Sequence, residues 1–122
     1  MTPIETVREN RLMTKRFKTL DEFWPYYVRE HSKPLTRQLH FIGNTNLVIW
    51  MVVAASKRSL KYTLFGIFSS YVFAWVGHFL IERNRPATFK YPILSALGDM
   101  LMYQKMLMGT MDEEVARYIK EE

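Results

Sequence analysis

Apolar and charged positions divide the chain into unlike parts. Residues 1–40 and 109–122 are dense in charge, whereas between Phe41 and Ile81 only Lys57, Arg58 and Lys61 are formally charged, and these cluster. They separate an apolar run of 16 residues, Phe41–Ser56, from one of 20 residues, Tyr62–Ile81. Twenty helical residues extend about 30 Å, the thickness of a bilayer's hydrocarbon core. Two such runs joined by a short basic loop predict a transmembrane hairpin at about 41–56 and 62–81, because so short a chain has too little other protein to bury both. The alternative is a helical bundle packed inside an oligomer.

The flanks are also predicted helical, giving an all-α, membrane-embedded bundle of five helical pieces. Thr19-x-x-Glu22 reads as a capping box that opens an interfacial helix with apolar Leu20, Phe23, Trp24 and Tyr27. Pro25 must fall in or near its first turn or kink it, and Pro34 ends it. Arg85-Pro86-Ala87 reads as a turn. Tyr91-Pro92 starts a further apolar helix at about 92–108 that stops at Gly109. Its thin polar line, Ser95, Asp99 and Tyr103, recurs every fourth residue and is expected to face an interior site. Thr110-x-x-Glu113 reads as a second capping box opening a short acidic helix.

Composition narrows the chemistry. A chain of 122 residues, 48% apolar, is expected to form one domain, 1–122. The absence of cysteine excludes a disulfide scaffold, a thiolate nucleophile and sulfur-ligated zinc or iron–sulfur sites, so any metal is held by nitrogen and oxygen. No P-loop, GxGxxG, HExxH or nucleophile elbow occurs. The net charge of +5 does not point to nucleic acid, because the basic residues are scattered over interfacial segments and no reading motif is present. The first sixteen residues lack the apolar core of a signal peptide. Of 17 Lys and Arg, the three of the 57–61 loop lie at one end of the hairpin and 14 at the other. The positive-inside rule therefore places both termini on the cytoplasmic side of an integral membrane protein, in the inner membrane of a bacterium or the endoplasmic reticulum of a eukaryote.

Three histidines carry the candidate chemistry. His40 opens the first apolar run and His78 lies one turn from the end of the second, so an antiparallel hairpin brings them to the same face. His31 lies nine residues before His40, and a bend at Pro34 can turn it towards the same point. The three are candidate metal ligands; inert interfacial histidines are the alternative. Glu82, four residues after His78, and Asp99, inside an apolar helix, are the carboxylates within reach. Imidazoles with a carboxylate suit Zn(II) and non-haem Fe(II) equally. Arg37, Arg83 and Arg85 lie near that level and can bind an anion or contact lipid phosphate. Trp24, Tyr26, Tyr27 and Trp75 read first as interfacial anchors and packing. The Met-rich helix with Met100, Met102, Met106 and Met108 suits adaptable packing, including self-association into a homo-oligomer.

Several segments together resemble a known family: Phe23-Trp24-Pro25-Tyr26-Tyr27, His31-x-x-Pro34, Leu39-His40-Phe41-Ile42-Gly43, Trp75-Val76-Gly77-His78-Phe79, Glu82-Arg83-Asn84-Arg85-Pro86-Ala87-Thr88, Tyr91-Pro92 and Gly98-Asp99. Over about residues 17–109 the chain resembles the small membrane proteins that include the 2-hydroxy fatty acid dioxygenase of α-oxidation, the Mpo-like family. The resemblance implies a membrane-embedded, Fe(II)-dependent enzyme that uses O2 to shorten a 2-hydroxy fatty acid by one carbon. It implies catalytic roles for His31, His40, His78 and Glu82, metal ligation by His31, His40 and His78 with Asp99 as a further candidate, and substrate binding by Arg85. Asp99 matches the shorter members only, and Thr36 stands where the family has Asn. A non-enzymatic lipid-binding or scaffold module with structural histidines is the alternative, and a zinc-dependent lipid hydrolase on the same ligands is a third class.

Overall fold

A computed structural model describes residues 3–4 and 16–119 of the chain. Most of the N-terminal segment read above for a signal peptide lies outside the described residues. Among the described residues five α-helices are delimited: α1 (Leu20–Glu30), α2 (Pro34–Lys57), α3 (Leu60–Val76), α4 (Pro92–Met108) and α5 (Met111–Tyr118). A π-helical turn, Gly77–Glu82, continues α3, and a 3-10 turn, Ala87–Phe89, precedes α4. There is no strand among the described residues.

The cap expected at Thr19 is present: its side chain accepts from Glu22 N at 3.2 Å. Glu22 reaches back to Lys18 N at 3.2 Å, one residue earlier than a strict capping box. Pro25 sits inside α1 as its sixth residue. The N–H it lacks leaves only the carbonyl of exposed Asp21 without a helical partner, where water can reach it.

α2 begins at Pro34, well before the predicted start near Phe41, so Arg37 and His40 lie inside its first two turns. Proline at the first helical position needs no N–H and has its φ preset, which is why Pro34 both ends the bend and starts the next helix. α2 and α3 are joined by Arg58, in the left-handed conformation at φ 49°, and Ser59. The helices approach closely at glycines. A Cβ on Gly43 would stand 3.0 Å from Ser70 O, and one on Gly66 would stand 2.7 Å from Trp50 Cβ. Asn46 donates to Ser69 Oγ at 2.7 Å across the pair. Pro34–Lys57 (24 residues) and Leu60–Glu82 (23 residues) are each long and apolar enough to cross a membrane.

The packed core lies elsewhere, where α1, α4, α5 and the 3-10 turn meet around Phe23, Trp24, Tyr27, Val28, Ala87, Tyr91, Met102 and Met111. The polar line of α4 does not face one site. Ser95 bonds Thr88 (3.1 Å), Asp99 accepts from the Tyr27 hydroxyl, and Tyr103 bonds Thr45 (2.9 Å), so the line fastens α4 to three different elements. The expected cap at Thr110 does not form. Thr110 instead donates its N–H to Lys105 O at 2.8 Å, closing α4 beyond the left-handed Gly109, where φ is 74°.

Candidate metal centre

The three histidines come from three segments: His31 from the end of α1, His40 from the second turn of α2, and His78 from the start of the π turn. All are buried, at 1%, 4% and 3% exposure. Their rings stand edge to face, with centroids 4.5, 4.6 and 4.9 Å apart and interplanar angles of 76–90°. One ligating nitrogen from each lies within 4.8 Å of the other two.

Hydrogen bonds fix which nitrogen faces inward. His31 Nδ1 lies 2.6 Å from Tyr27 O and His40 Nδ1 lies 2.9 Å from Thr36 O. A carbonyl only accepts, so both Nδ1 atoms carry hydrogen and both Nε2 atoms present lone pairs. His78 Nδ1 lies 2.7 Å from Asn84 Oδ1, leaving its Nε2 for the same role. His31 Nε2 and His40 Nε2 are 3.2 Å apart. Two lone pairs at that distance repel unless a cation stands between them, and two nitrogens on one ion at about 2.1 Å are separated by roughly 3.0–3.4 Å. Burial, followed by the neighbouring His40 and His78 imidazoles, holds His31 well below its ordinary range, so it stays neutral and able to ligate. Thr36, whose carbonyl orients His40, keeps a fully buried hydroxyl without a protein partner. The donor set therefore fits a metal ion, and the buried His31/His40/His78 cluster can hold one.

The bend that brings His31 onto His40 is secured from both sides. Arg37, only 7% exposed, donates through one guanidinium nitrogen to His31 O (2.7 Å) and Ser32 O (2.9 Å), satisfying carbonyls at the end of α1. Glu82, the last residue of the π turn, accepts from Ser32 Oγ (2.8 Å) and from N of Lys33, the residue that precedes α2 (2.5 Å). Lys33 Nζ donates to Ile81 O at 3.0 Å.

The profile of a family described as 2-hydroxy-palmitic acid dioxygenase Mpo1-like matches residues 17–111. The chain belongs to the Mpo1-like family. No curated protein and no solved structure matches it.

In this Mpo1-like chain the residues predicted for the site separate into two groups. His31, His40 and His78 come together, but the carboxylates stand outside the histidine group. Glu82 is engaged by the α1–α2 bend, as above. Asp99 accepts from the hydroxyl of Tyr27, whose ring stacks on His31 at a centroid distance of 4.0 Å. Burial pushes the Asp99 carboxyl up to about 6, against the pull of the Tyr27 hydrogen bond. Arg85 lies over the Phe89 ring at 4.8 Å. With Phe79, Leu80, Arg83, Asn84 and Phe89 it lines an open groove of about 710 Å³.

Sequence reasoning missed Asn84, Tyr27 and Arg37 as site-building residues. Asn84 lies within the Glu82–Thr88 motif, but nothing in the motif foretells the π turn and the left-handed Arg83 (φ 61°) that return it to His78. Tyr27 reads as an interfacial anchor and Arg37 as an anion or lipid-phosphate contact, yet both are buried: Tyr27 O holds His31 Nδ1, and Arg37 donates to His31 O.

Proposed function

We propose that this protein is a membrane-embedded, non-haem Fe(II)-dependent dioxygenase that uses O2 to shorten 2-hydroxy fatty acids by one carbon. The observation that carries this reading is the buried trio of imidazoles with inward Nε2 lone pairs, two of them 3.2 Å apart, and no sulfur donor. The family description supplies the substrate class. His31, His40 and His78 would hold the ion, and iron bound there would supply the O2 activation that the reaction needs.

The chain's own residues do the rest. Asp99 stays out of the ligand set and steadies Tyr27, which orients His31 through its carbonyl and its stacked ring. Glu82 contributes by holding the bend and not by touching the reacting atoms. Arg85 pairs with the substrate carboxylate, since it has no acidic partner among the described residues. Phe79, Leu80 and Phe89 take the first part of the acyl chain, whose remainder stays in lipid beside the apolar face of α3. In this reading α2 and α3 cross the bilayer, one domain spans the chain, and the centre lies on the cytoplasmic side with both termini.

The test is O2 consumption with 2-hydroxypalmitate by anaerobically purified, Fe(II)-loaded protein in detergent. Substrate-dependent uptake that disappears in His78→Ala is expected. Uptake that is absent in the loaded wild type, or unchanged in His78→Ala, rejects the assignment.

A further inference from the structure

Two of the three imidazoles are oriented by main chain. Tyr27 O and Thr36 O each lie four residues before the histidine they hold, so no side-chain replacement removes either acceptor. His78 is held differently. Its Nδ1 meets the side chain of Asn84 at 2.7 Å, and Asn84 N in turn donates to His78 O at 2.9 Å.

The other end of the Asn84 amide is also fixed. Asn84 Nδ2 donates to Glu30 O at 2.9 Å and to Glu30 Oε2 at 2.6 Å. Both contacts are acceptors, so flipping the amide would set its oxygen against two oxygens and its NH2 against the hydrogen on His78 Nδ1. Glu30 therefore decides which way Asn84 points, and Asn84 decides which nitrogen of His78 is protonated. Because Glu30 immediately precedes His31, the same amide also ties the π turn to the end of α1.

We propose that Asn84 is a positioning residue that fixes His78 as its Nδ1–H tautomer with Nε2 turned towards His31 and His40, and that Glu30 locks the Asn84 amide in that sense. This extends the metal-centre reading to the shell behind one ligand, where lost partners typically weaken metal binding by about 10–100-fold. Asn84 also lines the groove beside Arg83 and Arg85, so one side chain borders the groove and holds His78.

The first experiment is 15N NMR of histidine-labelled, metal-free protein in micelles. Wild type is expected to show His78 as the neutral Nδ1–H form. Asn84→Leu, similar in size but without an acceptor, should shift His78 towards the Nε2–H form. Asn84→Asp combined with Glu30→Gln presents only an acceptor to His78 Nδ1 and returns a donor from residue 30, losing only the bond to Glu30 O, and should restore the wild-type signal. Anaerobic Fe(II) titration gives the second readout: about 10–100-fold weaker binding in Asn84→Leu, and recovery to within about threefold in the double variant. A purely structural role for Asn84 would lower stability without moving the tautomer. If Asn84→Leu does not accumulate, Glu30→Leu, which removes the side-chain acceptor that Gln would keep, should give a mixed tautomer signal. An unchanged His78 signal in Asn84→Leu, or in Glu30→Leu when that variant stands in for it, overturns the proposal. Wild type that takes up no Fe(II) would overturn the iron reading, while the NMR arm would still decide the role of Asn84.

Discussion

The hairpin of α2 and α3 and the cluster of α1, α4 and α5 solve the burial problem in opposite ways. The cluster hides its large side chains from its surroundings: Phe23, Tyr27, Val28 and Met102 are all fully buried. The hairpin turns its large side chains outward, with Val52 at 62% and Phe68 at 70% exposure, and keeps glycines and hydroxyls between its helices. In water such a surface would be costly, whereas in hydrocarbon it costs nothing and helix contact comes from close packing. The histidine trio straddles the two: His31 belongs to the cluster, and His40 and His78 to one end of the hairpin. The side chains that join the regions, Arg37, Glu82 and Asn84, therefore bear directly on the histidines, and within the cluster the Tyr27–Asp99 pair does so through the ring stacked on His31.

That contrast yields tests of graded size. The largest effect is expected from Phe23→Ala, which leaves a void in the cluster and should cost about 3–5 kcal/mol in unfolding measured in mild detergent. Phe68→Ala, an equal truncation on the outer hairpin face, should cost less than about 1 kcal/mol there, since detergent fills the space. Equal losses in the two variants would remove the distinction between the regions.

Gly98→Ala comes next. Its Cβ would stand 2.8 Å from Tyr27 Cδ2, so the ring that stacks on His31 must shift. A destabilisation of about 1–3 kcal/mol is expected, together with weaker metal binding. Wild-type metal affinity in a destabilised Gly98→Ala protein would separate Tyr27 from the centre.

Acidity provides a subtler test, because two groups at the junction act with opposite signs. His31 is held below its ordinary range, so below about pH 6.5 the unfolded chain takes a proton that the folded chain refuses, and stability falls as pH falls. Asp99 is pushed up to about 6, so its protonation favours the folded state at low pH and that contribution is lost as pH rises through about 6. Asp99→Asn keeps an acceptor for Tyr27 and removes only the second effect. Its melting temperature should therefore fall more steeply than wild type between pH 7.5 and 5; parallel curves would contradict the assignment.

The smallest effect is expected from Arg85→Gln, which removes an exposed cation from the groove. Binding of 2-hydroxypalmitate should weaken by about tenfold, the loss of one charge-assisted hydrogen bond, with metal content unchanged.

The hairpin was legible in the sequence because long uncharged runs have few other uses, and the three histidines stood out as polar positions at the ends of those runs. Pro34 marked the bend that joins His31 to His40. What stayed hidden depended on partners distant in the chain. The first spanning helix is expected from about Phe41, yet α2 starts at Pro34, because a helix end tolerates polar residues that find carbonyls or water. Placing Glu82 beside His78 assumed regular α-helical spacing, whereas a π turn occupies that stretch and Glu82 serves the bend. Asp99 reads as a candidate metal ligand, and that it instead accepts from the Tyr27 hydroxyl depends on how α4 packs on α1, which no local pattern reveals.

The central claim is that His31, His40 and His78 form a metal centre. It is tested most directly by iron content after anaerobic purification and Fe(II) loading, in wild type and in each single alanine variant. The account predicts about one iron per chain in wild type and a large loss in every variant, with the helical circular dichroism signal retained. Wild type without bound iron, or variants that retain it undiminished, would contradict it.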